Sequence, residues 1–366
     1  MSASEEEAPS EVGALREKVR HESEALKERA RRVEEERIEE VLKSLSLREK
    51  VGQMTQLEKN SCTPEQAAAL GLGSVLSGGG GNPANGNTAE TWLEMTRGYL
   101  RAAGKVPLLY GADAVHGHNN VGGSTIFPHN IGLGCTRDAD LVRRVGRAVG
   151  LECAATGVNW NFAPCLAVPH DVRWGRSYEG FSADSAVVAQ LGSAFVEGLT
   201  GAGVLPSVKH FVGDGATTFG DRRRGTHALA QMGPPPQGRR QPWDPEWHRD
   251  AWKIDTGVCE WDEERLRREL LPPYRAAIAA GALNVMCSYS SWKETQMHGH
   301  RYLLTDVLKG ELGFRGFVVT DWGGIDNLDR GNYGHAVVQA INAGIDMVMV
   351  PFQADQFIHA VEAGVA

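Results

Sequence analysis

Short β-branched and aromatic apolar runs alternate with amphipathic stretches through most of this chain, and that rhythm restricts the fold more than any composition figure. Runs at residues 73–76, 106–110, 157–162, 205–211, 284–289, 316–320 and 346–350 are too short for helices and are bounded by glycine or polar residues, so they predict strands. Several of the gaps carry helical spacing, clearest at residues 138–156, 182–199 and 263–280. Strand and helix in alternation is the pattern of βα units and predicts a parallel sheet covered by helices. The expected fold class is α/β, a TIM-like (β/α)8 barrel. Seven strands leave that ring one short. Either the amino-terminal region supplies an unconventional closing element, or the barrel is incomplete at its carboxyl end. An incomplete barrel would expose sheet edges and weaken the isolated chain.

Two regions depart from the rhythm. Residues 1–45 form a charged leader in which Glu and Arg recur three or four apart, the spacing of pairs along an exposed helix. A solvated helix is the expectation there, with partner binding as the other role such a helix could have. From Ile38 to Leu47 the pattern turns amphipathic, and Ser46 is placed to cap a helix carrying Val51 and Met54 inward. The second departure, at about residues 218–261, combines an Arg run, three prolines and several tryptophans without sustained period. So long an irregular stretch inside a barrel reads as a functional loop or an insertion, and Trp243, Trp247 and Trp252 would be its candidates for covering a pocket. The domain organisation read from these signals is a leader at 1–45 and a barrel at 46–366 interrupted by the insertion.

A net charge of -8 offers no basic face for nucleic acid. No apolar run reaches the roughly 18–20 residues of a membrane span. The amino terminus, MSASEEEAPSEV, lacks the apolar core of a secretory signal, so the default compartment is cytoplasmic. Six cysteines lie scattered without metal-ligand spacing, which predicts reduced, buried thiols. His116 and His118 alternate in a Gly/Asn-rich loop, but no third ligand is suitably spaced, and neither a metal nor a cofactor is expected.

Chemistry is legible where each strand stops. The run Gly316-Phe-Val-Val-Thr ends at Asp321, followed by Trp322 and two glycines. In a βα barrel, side chains at the carboxyl ends of strands face one shared mouth. Asp113 follows the second recognised strand, Arg176 the third; Lys209 and His210 end the fourth, and Tyr289 the fifth. A carboxylate accepts from sugar hydroxyls, Arg, Lys and His donate, and an indole face stacks on a pyranose ring, so the set points to carbohydrate. Each residue also has a plainer role open to it. Asp321 could cap the next helix, Arg176 could pair with Glu179 or Asp171, Lys209 and His210 could close the barrel bottom, and Tyr289 could be core.

The motifs LLYGADAVHGHNN, DVRWGRSYEGFS, SVKHFVGDG, MCSYSSW and GFVVTDWGGID resemble those of family 3 glycoside hydrolases, in particular plant-type β-D-glucan glucohydrolases and β-glucosidases. The resemblance runs from about Leu42 to Ala366 apart from the insertion. It implies a retaining exo-β-glucosidase acting on β-glucosides or β-glucan oligosaccharides, often exported. Its nucleophile falls on Asp321 and its sugar-binding residues on Asp113, Arg176, Lys209, His210 and Tyr289, with Trp322 lining the next subsite. It also implies a second α/β-sandwich domain bearing the acid/base glutamate, for which no counterpart is expected in this sequence, and a barrel whose closing segment is expected beyond the last residue. An impaired barrel that binds sugar without efficient turnover is therefore one alternative, and an interaction protein that docks a partner through leader and insertion is another. The third, a single-domain β-N-acetylglucosaminidase type, would use a loop His-Asp pair. Asp214, Asp221 and His227 lie in the corresponding loop, without that compact motif.

Overall fold

Residues 11–79, 81–218, 257–352 and 354–365 are described in the computed structural model. Most of the insertion, with Asp221, His227, Trp243, Trp247 and Trp252, lies outside these residues.

Eight parallel strands form the barrel: β1 (Thr55–Glu58), β2 (Ser74–Ser77), β3 (Leu109–Ala112), β4 (Trp160–Asn161), β5 (Leu205–Phe211), β6 (Asn284–Cys287), β7 (Phe317–Val319) and β8 (Val348–Met349). Seven match the expected runs. The eighth is β1, so the amino-terminal side supplies the element that the strand count lacked. It pairs with β2 on one flank and β8 on the other. The seam between β7 and β8 is shut by a parallel bridge from Val319 to Met347, with the Met347 amide donating to the Val318 carbonyl at 3.0 Å. The expectations of a carboxyl-terminal gap, of a closing segment beyond the last residue and of exposed barrel edges are corrected accordingly.

β1 escaped pattern reading because Thr-Gln-Leu-Glu is no apolar run, yet all four residues are buried. Some of their polar groups find partners: Gln56 Nε2 donates to Ser74 Oγ on β2 at 2.8 Å, and Thr55 Oγ1 donates to the Val51 carbonyl on the preceding helix at 2.8 Å. Higher in the barrel an apolar plug of Leu76, Trp160, Phe162, Met286, Val319, Met347 and Met349 fills the lumen. Gly111 is required here, since a Cβ at that position would lie 2.3 Å from Cζ of Phe162.

Helices Ala139–Ala155, Ser185–Gly201 and Pro272–Ala279 pack outside the ring. The stretch expected as one helix at residues 263–280 is two, Glu263–Glu269 and Pro272–Ala279, because Pro272 and Pro273 lack the amides that an uninterrupted ladder needs. Ser46 caps Leu47–Gln53 as expected, in a reciprocal capping box with Glu49. Val51 is buried and Met54 packs partly buried on the core. The leader is a helix, Glu11–Ser44, with pairs such as Arg31–Glu28 at 2.8 Å. Ile38 and Leu42 are exposed, whereas Val41 and Leu45 in the same pattern are partly buried. All six cysteines are free, and five of them are buried.

Candidate active site

The carboxyl ends of the strands surround a cavity of about 450 Å³. Asp113, Arg176, Lys209 and His210 line it, as do Tyr289, Asp321 and Trp322. All seven residues singled out from the sequence therefore meet in one hollow. Its floor is the top of the apolar plug: Leu76, Phe162, Met286 and Met349.

Local structure fixes each polar group. Asn161, at the end of β4, grips Ala114 twice, accepting from its amide at 3.0 Å and donating to its carbonyl at 2.9 Å. That clamp sets the loop after β3 and points Asp113 toward Lys209, whose Nζ donates to Oδ1 at 2.8 Å. Lys209 is buried and Asp113 half-exposed, so the carboxylate keeps lone pairs facing the cavity. Burial works against the Lys209 charge, but Asp113 and Glu179 raise its pKa above the ordinary value.

Arg176 is held by Glu179 through two bonds, Nε to Oε1 at 2.6 Å and Nη2 to Oε2 at 3.0 Å. The structural pairing and the cavity role are thus compatible, since the fork that orients the guanidinium leaves it lining the pocket. Burial would lift the Glu179 carboxyl, yet Arg176 brings it down to about 2.

Behind this wall, His210 Nδ1 lies 2.7 Å from Asp214 Oδ2 and His210 Nε2 lies 3.6 Å from Asp321 Oδ2. Burial and the Arg176 charge both oppose protonation of His210. Asp214 overrides them and raises the His210 pKa to about 10, while Arg176 Nη2 lies 3.3 Å from His210 Nε2. Asp214 also accepts from Ser288 Oγ at 2.5 Å and Ser290 Oγ at 3.1 Å. It is a buried counter-ion under His210 rather than a loop acid.

Asp321 follows β7 with its side chain mostly buried. Oδ1 accepts the Trp322 amide at 2.6 Å, and the turn is fastened to β8 by the Gly323 amide donating to the Met349 carbonyl at 3.2 Å. Tyr289 donates its hydroxyl to the Trp322 carbonyl. It is a cavity residue with a turn-holding bond, not simple core. Trp322 meets Phe352 edge-on, with ring centroids 5.6 Å apart.

The structure adds lining residues that the sequence reading passed over. Glu58, at the end of β1, accepts from the Asn60 amide at 2.6 Å and from its side chain at 3.1 Å; both residues line the cavity. The strand-end rule that selects Asp321 would have selected Glu58 had β1 been recognised. His118 is a buried histidine with Nε2 2.9 Å from Thr156 Oγ1, and His116 stacks on His129 at 4.0 Å. Among the described residues no cluster of three or more metal-ligating side chains is present.

A closed parallel βα barrel with a charged hollow at its strand ends has the layout of a barrel enzyme. The chain belongs to glycosyl hydrolase family 3, whose N terminal domain matches residues 46–228 and 252–366. It is 30% identical over 352 residues to a lysosomal beta glucosidase of Dictyostelium discoideum, an alignment covering 86% of this chain and 39% of that protein. It is similar to the exo-1,3/1,4-beta-glucanase of a Pseudoalteromonas species, at 38% identity and TM-score 0.77 over 90% of this chain and 40% of that one. A beta-glucosidase from Listeria innocua solved with glucose superposes with TM-score 0.70 at 25% identity, over 90% of this chain and 43% of that one. The chain spans about two fifths of the length of these relatives.

Proposed function

We propose that this chain carries the glycone-binding and nucleophilic half of a retaining β-glucosidase, acting on terminal β-D-glucosyl residues. Asp321 attacks the anomeric carbon, a bond forms from its carboxylate oxygen to C1, and the bond from C1 to the leaving oxygen breaks. Water then cleaves the glycosyl ester and regenerates the carboxylate. Asp113 accepts from ring hydroxyls while Lys209, Arg176 and His210 donate to them, and Trp322 offers its face to the neighbouring sugar. The positive charges of Arg176 and Lys209 in the same cavity favour the ionised nucleophile. The observation that carries this reading is the convergence of Asp321 with Asp113, Arg176, Lys209 and His210 in one cavity. A fluorosugar with a good leaving group should trap a covalent adduct on the peptide containing Asp321, and Asp321→Asn should abolish it. Equal labelling of that variant would refute the assignment.

One observation favours a narrower version. Among the described residues the carboxyls lining the cavity are Glu58, Asp113 and Asp321; Asp113 is bound to Lys209, and Glu58 receives two bonds from Asn60. With Asp321 as nucleophile, none of the three is placed as proton donor to the leaving oxygen. General acid assistance is worth about 10²–10⁴-fold, so turnover by this chain should fall steeply from dinitrophenyl to alkyl glucosides. A flat dependence on leaving group would mean that an acid is already in place.

A further inference from the structure

His298 lies on the turn Met297–Gly299, fully buried, and belongs to none of the groups that grip sugar. Its Nε2 accepts the backbone amide of Asp321 at 3.1 Å. An amide can only donate, so Nε2 must be the bare nitrogen and the proton must sit on Nδ1. Nδ1 is itself buried without a hydrogen-bond partner. A buried donor left unpaired is costly, and the opposite tautomer would set two N–H groups against each other at Asp321. The ring is also wedged in place: a Cβ at Gly324 would meet Nε2 at 2.2 Å and Cε1 at 2.5 Å, so only glycine lets the imidazole reach under the turn.

We propose that His298 is a positioning residue, a permanently neutral hydrogen-bond acceptor that fixes the backbone of Asp321 and thereby aims its carboxylate at the anomeric carbon. This rests on the assignment of Asp321 as nucleophile. Around the ring stand Asp214 and His210, with Tyr289 at 5.8 Å between centroids. Burial, helped by the His210 charge and opposed by Asp214, pushes the His298 pKa down to about 3. Protonation would convert the acceptor into a second donor facing the Asp321 amide, and the site resists it.

Glutamine places its side-chain oxygen near the Nε2 position, whereas asparagine places it near Nδ1 and leucine offers no acceptor. The full chain and its His298→Gln, His298→Asn and His298→Leu variants should be labelled with the activated fluorosugar, following adduct formation by mass spectrometry at saturating and limiting concentrations. The maximal labelling rate should fall on the order of 10²-fold in the Leu and Asn variants, as for a nucleophile displaced by about 1 Å. The concentration giving half-maximal rate should hardly move, and the Gln variant should recover most of the loss. Wild-type rates in the Leu variant, or equal rates in Gln and Asn, would overturn the proposal while leaving the nucleophile assignment standing. An absent wild-type adduct would count against that assignment instead. Histidine ¹⁵N spectroscopy then decides independently: the Nδ1–H tautomer held from pH 8 to pH 5 supports the acceptor role, and an Nε2–H form or a titration near pH 6 overturns it.

Discussion

Arg31 and Glu28 on the leader helix approach to 2.8 Å, and so do Lys209 and Asp113 in the barrel mouth. The distances are equal and the physical situations are not. Arg31 and Glu28 are each more than two fifths exposed, screened by water and salt, and free to trade partners along the helix. The Lys209 side chain is only 5% exposed and has left water, so its charge depends on the carboxylates around it. Charge pairing on the leader maintains a solvated surface. In the barrel it holds a set of donors and acceptors in a fixed arrangement, which under the proposed function a sugar ring would meet without reorganising them.

The largest test of that contrast is Lys209→Met. It removes a donor from the cavity and leaves Asp113 without its partner, so kcat/KM on an activated aryl glucoside should drop about 10²–10³-fold. A loss below about fivefold would put this pair in the same class as the leader's. A middle-sized effect comes from pH. The His210 pKa is raised from its ordinary value near 6.5 to about 10, so its contribution to stability is complete below pH 6.5 and is lost as pH rises through 10. Glu179 runs the other way: lowered to about 2, it contributes fully above about pH 4.5, and that contribution is lost as pH falls toward 2. Thermal melts should therefore decline at both extremes, and Asp214→Asn should remove most of the alkaline decline. The smallest effect is expected from Arg31→Ala, which should shift the melting temperature by no more than about 2 °C. A larger shift would mean that the leader is docked rather than solvated.

What the sequence disclosed followed the same division. Strands β2 to β8 were readable because apolar, β-branched runs stop at glycine or at a polar residue. The seven pocket residues were readable because a barrel turns the position after each strand into an address. β1 was not, because three of its four buried residues, Thr, Gln and Glu, are polar and leave no apolar periodic trace. Glu58 was lost with it. His298 left no signal either, since its role depends on a turn folding under Asp321, and spacing along the chain does not report that. Arg176 shows the opposite limit: the sequence offered Glu179 as a structural partner or the cavity as a destination, and the bidentate pair serves both.

The seam at β1 bears on how the molecule is made. Thr55 lies beside Val348 and Gln56 beside Met349, so the barrel's first strand finds one of its two neighbours only after the barrel's other strands have been synthesised. Contacts of such long sequence separation form slowly. During that wait an apolar strand would be a sticky edge, prone to pairing with the wrong chain. Thr-Gln-Leu-Glu can stay hydrated until the ring is ready to accept it, so the polarity that conceals this strand from pattern reading also protects the nascent protein.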